Sequence, residues 1–141
     1  MDKLLASDAE RVLIRFISAM NDWERDCWVR FQAARTKSTD IRQEQKNDLE
    51  RMNEIFSEFC THESYLNGRT GEFRNPPEYD PTSEHIVKVE SKINEQVIVY
   101  TEQMSGFKHK NRYTILLKNK KWLIDKKEWN RLDGTWEQAI L

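Results

Sequence analysis

The sequence has 141 residues, of which 38% are hydrophobic and 33% are charged, which is enough for one domain with a real core and too short for two. Its 23 basic and 24 acidic side chains leave a net charge of -1, which argues against a general polyanion binder. No run approaches the roughly 18 apolar residues of a membrane span, and the first residues lack the apolar stretch of a secretion signal. We therefore expect a single domain over residues 1–141, located in the cytoplasm.

Apolar residues recur at every third or fourth position from Val12 to Phe31, which predicts an amphipathic helix. Ser7 or Asp8 can cap its start with a side-chain oxygen. Asn21-Asp22 lies in its middle and can bend or break it. The pattern therefore leaves open whether this segment forms one long helix or two.

A second apolar stripe from Ile41 to Cys60 predicts a second helix, which any of residues 38–40 can cap. Acidic residues such as Asp48 and Glu58 are assigned to its outer surface. A tight link between the two stripes would lay the two helices antiparallel.

The two cysteines, Cys27 and Cys60, fall on these apolar stripes, which predicts reduced, buried thiols that pack as small hydrophobic groups. Cys27 precedes the link by about nine residues and Cys60 follows it by more than about twenty, so at a rise of about 1.5 Å per residue no disulfide is expected. The pair formed by Cys60 and His62 lacks a second ligand cluster. We therefore predict no metal and no cofactor.

The segment 62–82 loses periodicity and contains glycines and prolines, which predicts a long ordered loop. It carries three aromatic residues, Tyr65, Phe73 and Tyr79. These either pin the loop over an opening in the domain or cover the edge of the core.

The segments 84–90 and 96–101 are rich in β-branched residues and are joined by a short polar link, which predicts a β-hairpin. His85 shares a side of the first strand with Val87 and Val89. A lone histidine at such a position is expected to be half-buried and hydrogen-bonded.

A second hairpin is predicted over residues 112–125, because two apolar runs flank Asn119-Lys120, and asparagine tolerates the backbone of a two-residue turn. This turn places Leu117 opposite Trp122, Ile115 opposite Ile124, and Tyr113 opposite Lys126. One face then carries Tyr113, Ile115, Leu117, Trp122 and Ile124. The other face, which is mixed, carries Arg112, Thr114, Leu116, Leu123, Asp125 and Lys127.

The second strand of this hairpin can continue through Trp129, after which Asp133-Gly134 marks a turn. Residues 135–138 fit a capping box, which predicts a short C-terminal helix. Two helices followed by at least four antiparallel strands indicate an α+β domain.

Aromatic, turn and strand motifs are spread over nearly the whole chain: Phe16-x-x-x-Met20-Asn21-x-Trp23-Glu24, Ile55-Phe56-x-x-Phe59-Cys60, Pro77-x-Tyr79-Asp80, Tyr113-x-Ile115-Leu116, Lys118-x-x-Lys121-Trp122-x-Ile124-Asp125 and Asp133-Gly134-x-Trp136. With these motifs the chain resembles the nuclear transport factor 2 fold and, within it, the immunity proteins of bacterial polymorphic toxin systems. The resemblance implies a cone in which two N-terminal helices pack on a curved antiparallel sheet of four or more strands. It also implies a non-catalytic protein that neutralises a cognate toxin, and it supplies no catalytic residues.

A toxin inhibitor needs a stable scaffold with a few aromatic or arginine anchors ringed by polar residues. The candidate contact residues are Tyr65, Arg69, Phe73, Arg74 and Tyr79 of the loop, and Arg112, Thr114, Asp125 and Lys127 of the hairpin. An uncovered sheet face also leaves a homodimer open.

Two other function classes stay open at this stage. Cones of this kind also host isomerases and dehydratases, for which Asp125, His85 and Tyr100 are the available groups. The basic residues of 108–131 suggest nucleic-acid binding, but the interleaved aromatics, Tyr113 and Trp122, lie on the predicted core face. The same basic residues can instead dock an acidic toxin surface, and we therefore do not expect nucleic acid as a partner. Without an apolar run long enough for a membrane span, we do not expect a membrane either.

Overall fold

The structure, a computed structural model, describes residues 2–37, 41–66, 73–93, 95–105, 108–131 and 133–141, without the side chains of residues 2–6 and 65–66. The elements in these ranges are α1 (Asp2–Thr36), α2 (Arg42–Phe59), α3 (His62–Leu66), β1 (Glu84–Lys92), β2 (Gln96–Gln103), β3 (Lys110–Lys118), β4 (Lys121–Asn130) and β5 (Trp136–Ala139). The strands form one antiparallel sheet in the order β1-β2-β3-β4-β5. This confirms the predicted α+β fold with two N-terminal helices and four or more strands.

The first helix runs unbroken from Asp2 to Thr36, which settles the choice between one helix and two. Asn21 in its middle is buried, and its side-chain amide donates a 2.7 Å hydrogen bond to the carbonyl of Tyr79, so it does not compete with the helix backbone. The predicted cap at Ser7 or Asp8 is wrong. Lysine, leucine and alanine upstream are good helix formers and extend the helix toward the N-terminus. None of the described helices is long and apolar enough to cross a membrane.

The second helix begins one residue after Ile41, which occupies the N-cap position without a side-chain hydrogen bond; the predicted caps at 38–40 lie outside the described residues. Asp48 is not on its outer surface as predicted but is buried against α1. Its backbone carbonyl accepts a 2.8 Å hydrogen bond from the indole of Trp23, and its carboxylate accepts one of 2.6 Å from Arg30. The bond from Arg30 compensates the cost of burying the carboxylate charge, and both bonds hold α1 and α2 together.

The core lies between α1, α2 and one face of the sheet, which we call the inner face. The ring of Phe16 in α1 is fully buried, with its centroid 5.7 Å from that of Phe56, 6.2 Å from Phe59 and 5.3 Å from Tyr79. The strands contribute alternate residues to this core, namely Val97, Val99, Tyr113, Ile115, Trp122 and Ile124. The helices therefore cover the inner face.

The β3-β4 hairpin turns at Asn119 and Lys120, which both have positive φ values of 52° and 65°, as predicted. Leu117 pairs with Trp122 and Ile115 with Ile124, also as predicted, but the register then shifts, and Tyr113 lies opposite Lys127. The predicted pairing of Tyr113 with Lys126 is wrong because Asp125 is an extra residue that bulges from β4. A bulge reverses which face the following residues occupy.

A second register shift, between Ile86 and Lys88, interrupts β1. It leaves Val87 exposed and turns Lys88 to the face away from the helices. His85 is exposed rather than half-buried, although its Nε2 lies 3.1 Å from the carbonyl oxygen of Thr82. The predicted hydrogen bond is confirmed and the predicted burial is wrong.

The C-terminal residues form β5 and not the predicted helix. Gly134, at φ 88°, makes the turn after Asp133, and β5 then pairs with β4 from Asn130↔Trp136 to Lys127↔Ala139. The residues of the capping-box pattern form a strand instead of a helix, because pairing with β4 gives the backbone N–H and C=O groups of both strands hydrogen-bond partners.

A buried carboxylate ties the first three strands together on the inner face. Glu84 of β1 is only 6% exposed, and its Oε2 accepts hydrogen bonds from Thr101 (2.6 Å), Tyr113 (2.7 Å) and Asn111 (3.4 Å). Burial and the nearby carboxylate raise the pKa of Tyr113 well above its usual value, so its phenol stays protonated and keeps donating.

Both cysteines are buried free thiols. Burial raises the pKa of Cys27 and of Cys60 from 9.0 to about 12, and Asp48 adds to the effect at Cys27. At pH 8, far below this pKa, both thiols are almost fully protonated, whereas the thiolate is the reactive form.

We therefore expect neither thiol of the native protein to react with a disulfide reagent at pH 8, and both to react in denaturant. Each thiol has a higher pKa in the folded protein than in the unfolded protein. The stability that the protonated, buried thiols contribute is therefore complete below about pH 9 and is lost as the pH rises toward 12. Rapid labelling of either cysteine in the native state would contradict this expectation.

Candidate functional site

The face of the sheet opposite the helices is not covered by any described helix, and we call it the open face. Strand alternation and the two bulges bring together residues from all five strands there. Its members are His85, Lys88, Glu90, Lys92, Gln96, Ile98, Tyr100, Glu102, Lys110, Arg112, Thr114, Leu116, Lys118, Leu123, Lys126, Glu128, Asn130, Trp136 and Gln138. Lys121, at the start of β4, instead lines a groove beside α2.

Arg112 lies at the centre of the open face, on the middle strand of the sheet. Its guanidinium carbon is 4.4 Å from the ring centroid of Trp136, and the Trp136 ring meets Tyr100 edge to face at 5.9 Å. Stacking of a guanidinium on an indole is a favourable cation–π contact. The three side chains therefore form one cluster across β2, β3 and β5, which we call the Arg112 cluster.

Glu128 holds Arg112 in place. The Nε and Nη2 atoms of Arg112 donate hydrogen bonds of 3.0 Å to Oε1 and Oε2 of Glu128, which lower the pKa of the carboxyl. The Arg112 side chain is 25% exposed. A bidentate pair with stacking on one side fixes the guanidinium while leaving part of it accessible, so little side-chain entropy remains to be lost on binding.

The open face is positively charged. Glu90 pairs with Lys88 at 2.7 Å and with Lys92 at 2.8 Å, and these hydrogen bonds lower the pKa of its carboxyl to about 2. The strand pairing gives the face six cations, Lys88, Lys92, Lys110, Arg112, Lys118 and Lys126, against three carboxylates, Glu90, Glu102 and Glu128. An excess of three positive charges results, although the net charge of the whole chain is -1.

The four hairpin residues predicted as toxin contacts do not lie on one face of the sheet. Arg112 and Thr114 lie on the open face, but Thr114 is only 3% exposed and offers almost no contact area. The Asp125 bulge carries Lys127 to the inner face, where its Nζ lies 4.6 Å from the centroid of the Tyr79 ring. Asp125 accepts a 2.9 Å hydrogen bond from Thr61, at the end of α2. Assigning Asp125 and Lys127 to the same surface as Arg112 is therefore wrong, because the register shift was not predicted.

The loop residues predicted as toxin contacts also do not share one accessible surface. Tyr79 is fully buried against Phe16, which removes it from the accessible surface and confirms that this aromatic covers the core. Phe73 is partly buried, with its ring 6.4 Å from Trp28 and 5.9 Å from Phe31. The predicted loop begins with α3, which contains Tyr65, but the Tyr65 side chain and Arg69 lie outside the described residues. Arg74 is exposed, and its guanidinium is 3.9 Å from Glu78.

Comparison with known proteins decides the family. Residues 8–139 match the model of the NTF2 fold immunity protein family. The chain is also 34% identical over 134 residues to the protein named Immunity protein RhsIA from Dickeya dadantii (strain 3937), an alignment that covers 92% of this chain and 93% of that protein. No solved structure matches.

This chain belongs to the NTF2 fold immunity protein family. The resemblance carried by the aromatic and turn motifs is thereby confirmed, and so is the immunity function that it implied. The family implies a cognate toxin as the partner. The helices on a five-stranded sheet are the architecture expected of this family.

The three groups considered for an enzyme do not converge in the fold. Asp125 bonds to Thr61 on the helix side of the sheet, whereas Tyr100 lies on the open face in the Arg112 cluster, and His85 bonds back to Thr82. Within the described part of the chain, no group of three or more His, Cys, Asp or Glu side chains is placed to hold a metal ion.

The basic residues of 108–131 do not form one ridge on this immunity protein. Lys127 is buried and Lys120 occupies the hairpin turn, whereas Lys110, Arg112, Lys118 and Lys126 share the open face. The two aromatics that base stacking would require, Tyr113 and Trp122, are 0% and 7% exposed, as the core-face assignment predicted. They cannot act as stacking platforms.

Two residues that complete the Arg112 cluster were missed as binding residues. Tyr100 was considered only for catalysis, and Trp136 was assigned to the C-terminal helix. The turn at Asp133-Gly134 followed by Trp136 was the available signal, because such a turn favours a hairpin that returns the next residues to the sheet. Lys88 and Lys92, which the strand pairing also places on this face, were not considered as contact residues.

Proposed function

We propose that this immunity protein protects its cell by binding a cognate toxin of a bacterial polymorphic toxin system and blocking it without catalysis. The family match and the relative named Immunity protein RhsIA support a toxin as the partner. We place this action in the cytoplasm, with neither nucleic acid nor membrane as a partner. The docking surface that we propose is the open face.

The Arg112 cluster is the observation that carries this proposal. Tryptophan, tyrosine and arginine are the residues that most often dominate binding energy at protein interfaces, and they do so near the centre of the contact. Here all three meet at the middle of the sheet, with Arg112 held by Glu128. The partly buried side chains of Ile98, Leu116 and Leu123 lie nearby on the same face, and charged residues surround them. An apolar centre within a charged rim is the usual anatomy of an interface.

The size of the open face also fits one protein partner. Strands of nine residues, such as β3, are about 30 Å long, and five strands spaced about 4.8 Å apart span about 20 Å. Because β5 has only four residues, the face covers about 500 Å². A standard interface buries about 800 Å² on each partner, so the face and its margins are large enough for a specific complex.

Co-expression tests the proposal. The partner to test is the C-terminal domain of any large secreted protein whose gene lies beside the gene for this chain, expressed inside cells with and without the immunity protein. We expect the immunity protein to restore growth and to co-purify with the toxic domain. Failure of the intact protein to protect would overturn the proposal, and protection without any complex would contradict a mechanism based on binding.

A matched variant separates binding from catalysis. Glu84→Gln keeps the shape of the side chain but removes the buried carboxylate of the inner face, and a carboxylate at such a place is the kind of group that acid–base catalysis inside the cone would require. Comparable soluble amounts of both proteins must be confirmed. Equal protection by the variant and the original supports inhibition by binding, whereas loss of protection with the complex still formed would indicate an enzymatic role.

A further inference from the structure

We infer that the toxin surface seated on the open face is acidic, and that its charge steers the two proteins together. This inference rests on the proposed function and specifies the chemistry of its partner. The sequence alone offered a basic cluster within 108–131. The structure replaces it with a face to which β1, β3 and β4 contribute cations.

The excess charge is accessible. The side chains of Lys88, Lys110 and Lys126, from three different strands, are 62%, 64% and 49% exposed. Each ammonium lies near a carboxylate, at 2.7 Å, 3.8 Å and 3.9 Å respectively, yet an ammonium has three donors, so hydrogen-bonding capacity remains for a partner.

The internal ion pairs position these cations without neutralising the face. Glu90 lies between Lys88 and Lys92, and Glu128 lies between Arg112 and Lys126. Each of these carboxylates thus has two cations beside it. Charge complementarity of this kind raises association rates and rejects partners of the wrong sign.

A second copy of this chain fits the open face poorly. A two-fold symmetric dimer places the same patch on both partners, so two faces that each carry three excess positive charges would meet. Single-stranded nucleic acid fits poorly too, because bases stack on free aromatic faces. Arg112 lies over the ring of Trp136 and Lys88 lies over the ring of Tyr100, at 4.4 Å and 5.2 Å.

The test uses two triple variants that change the net charge equally. The first is Lys88→Glu with Lys110→Glu and Lys126→Glu on the open face. The control is Arg25→Glu with Lys37→Glu and Lys46→Glu, three exposed positions on the helix side. Binding kinetics to the purified toxic domain are measured for both variants and the original protein at several salt concentrations, after thermal unfolding has confirmed that both variants are folded.

We expect the open-face variant to associate about 10- to 1000-fold more slowly than the original protein at low ionic strength. The control should change much less, and added salt should slow association of the original protein. Equal effects of the two variants would overturn a face-specific role, and faster association of the open-face variant would mean a basic partner. Neither of these two results affects the growth-protection experiment, which tests the proposed function separately. Failure of this inference can therefore be told apart from failure of the proposed function.

Two further measurements test whether a second copy of this chain or a single-stranded nucleic acid binds the open face instead. Sedimentation of the immunity protein alone should show a monomer over the concentrations used for binding, and a labelled 20-nucleotide single strand should not bind at low salt. A dimer abolished by the open-face variant, or tight strand binding abolished by it, would overturn the inference.

Discussion

Replacing Arg112 with alanine should weaken binding of the toxic domain by about 30- to 700-fold. Truncating a central arginine anchor costs about 2 to 4 kcal/mol, and Arg112 combines the stacking on Trp136 with the bidentate pair to Glu128. The variant also leaves Glu128 with only Lys126 beside it, which reduces the positive charge at the centre of the face. Titration calorimetry or surface binding measures the change in Kd.

Two variants control for charge and for folding in this experiment. Arg112→Lys keeps the positive charge but cannot form the bidentate pair, so it should recover only part of the affinity. Arg11→Ala removes an arginine that is 73% exposed on α1 and should bind like the original protein. If Arg112→Ala stays folded and keeps full affinity, the open face is not the docking surface.

Replacing Phe16 with alanine should lower the free energy of unfolding by about 3 to 5 kcal/mol, the usual cost of removing a buried aromatic ring. Its ring contacts Phe56 and Phe59 of α2 and Tyr79 of the loop before β1. The substitution would therefore leave a cavity where the helices, this loop and the sheet meet. A domain of this size has about 5 to 15 kcal/mol of stability in total. Urea unfolding followed by circular dichroism measures the loss.

Val29→Ala on the same helix is the matched comparison for Phe16→Ala. Val29 is 65% exposed, so its truncation should change the stability by less than about 0.5 kcal/mol. A loss below about 1 kcal/mol for Phe16→Ala would mean that the core repacks around the missing ring, contrary to the tight contacts seen in the structure.

Features that depend on neighbouring residues in the sequence were predictable. The stripe that ends at Phe31 predicted α1, the Asn119-Lys120 corner predicted the hairpin, and its first pairs followed by counting outward from the turn. The motifs also indicated the correct family. Arg112 was named as a contact candidate, and the structure places it at the centre of the open face, where its role in binding remains a prediction.

The candidate site as a whole was not predictable, because a bulge adds one residue to a strand without a distinctive local pattern. The extra residue Asp125 moved Lys127 to the inner face, and the shift after Ile86 placed His85 and Val89 on opposite faces of the sheet. Each error followed from assuming strict alternation, in which a single inserted residue exchanges every later side chain.

Periodicity, turn residues and local motifs act over a few neighbouring positions, and from them the sequence predicts the two amphipathic helices, the two hairpins and the family. The folded chain alone shows that Tyr79 lies in the core, that Trp136 belongs to a strand and that the cations of three strands share one face. Local patterns do not predict these features, because burial and strand pairing depend on residues far apart in the chain. When β5 can satisfy the backbone of β4, that long-range pairing outweighs the local preference of residues 135–138 for a helix.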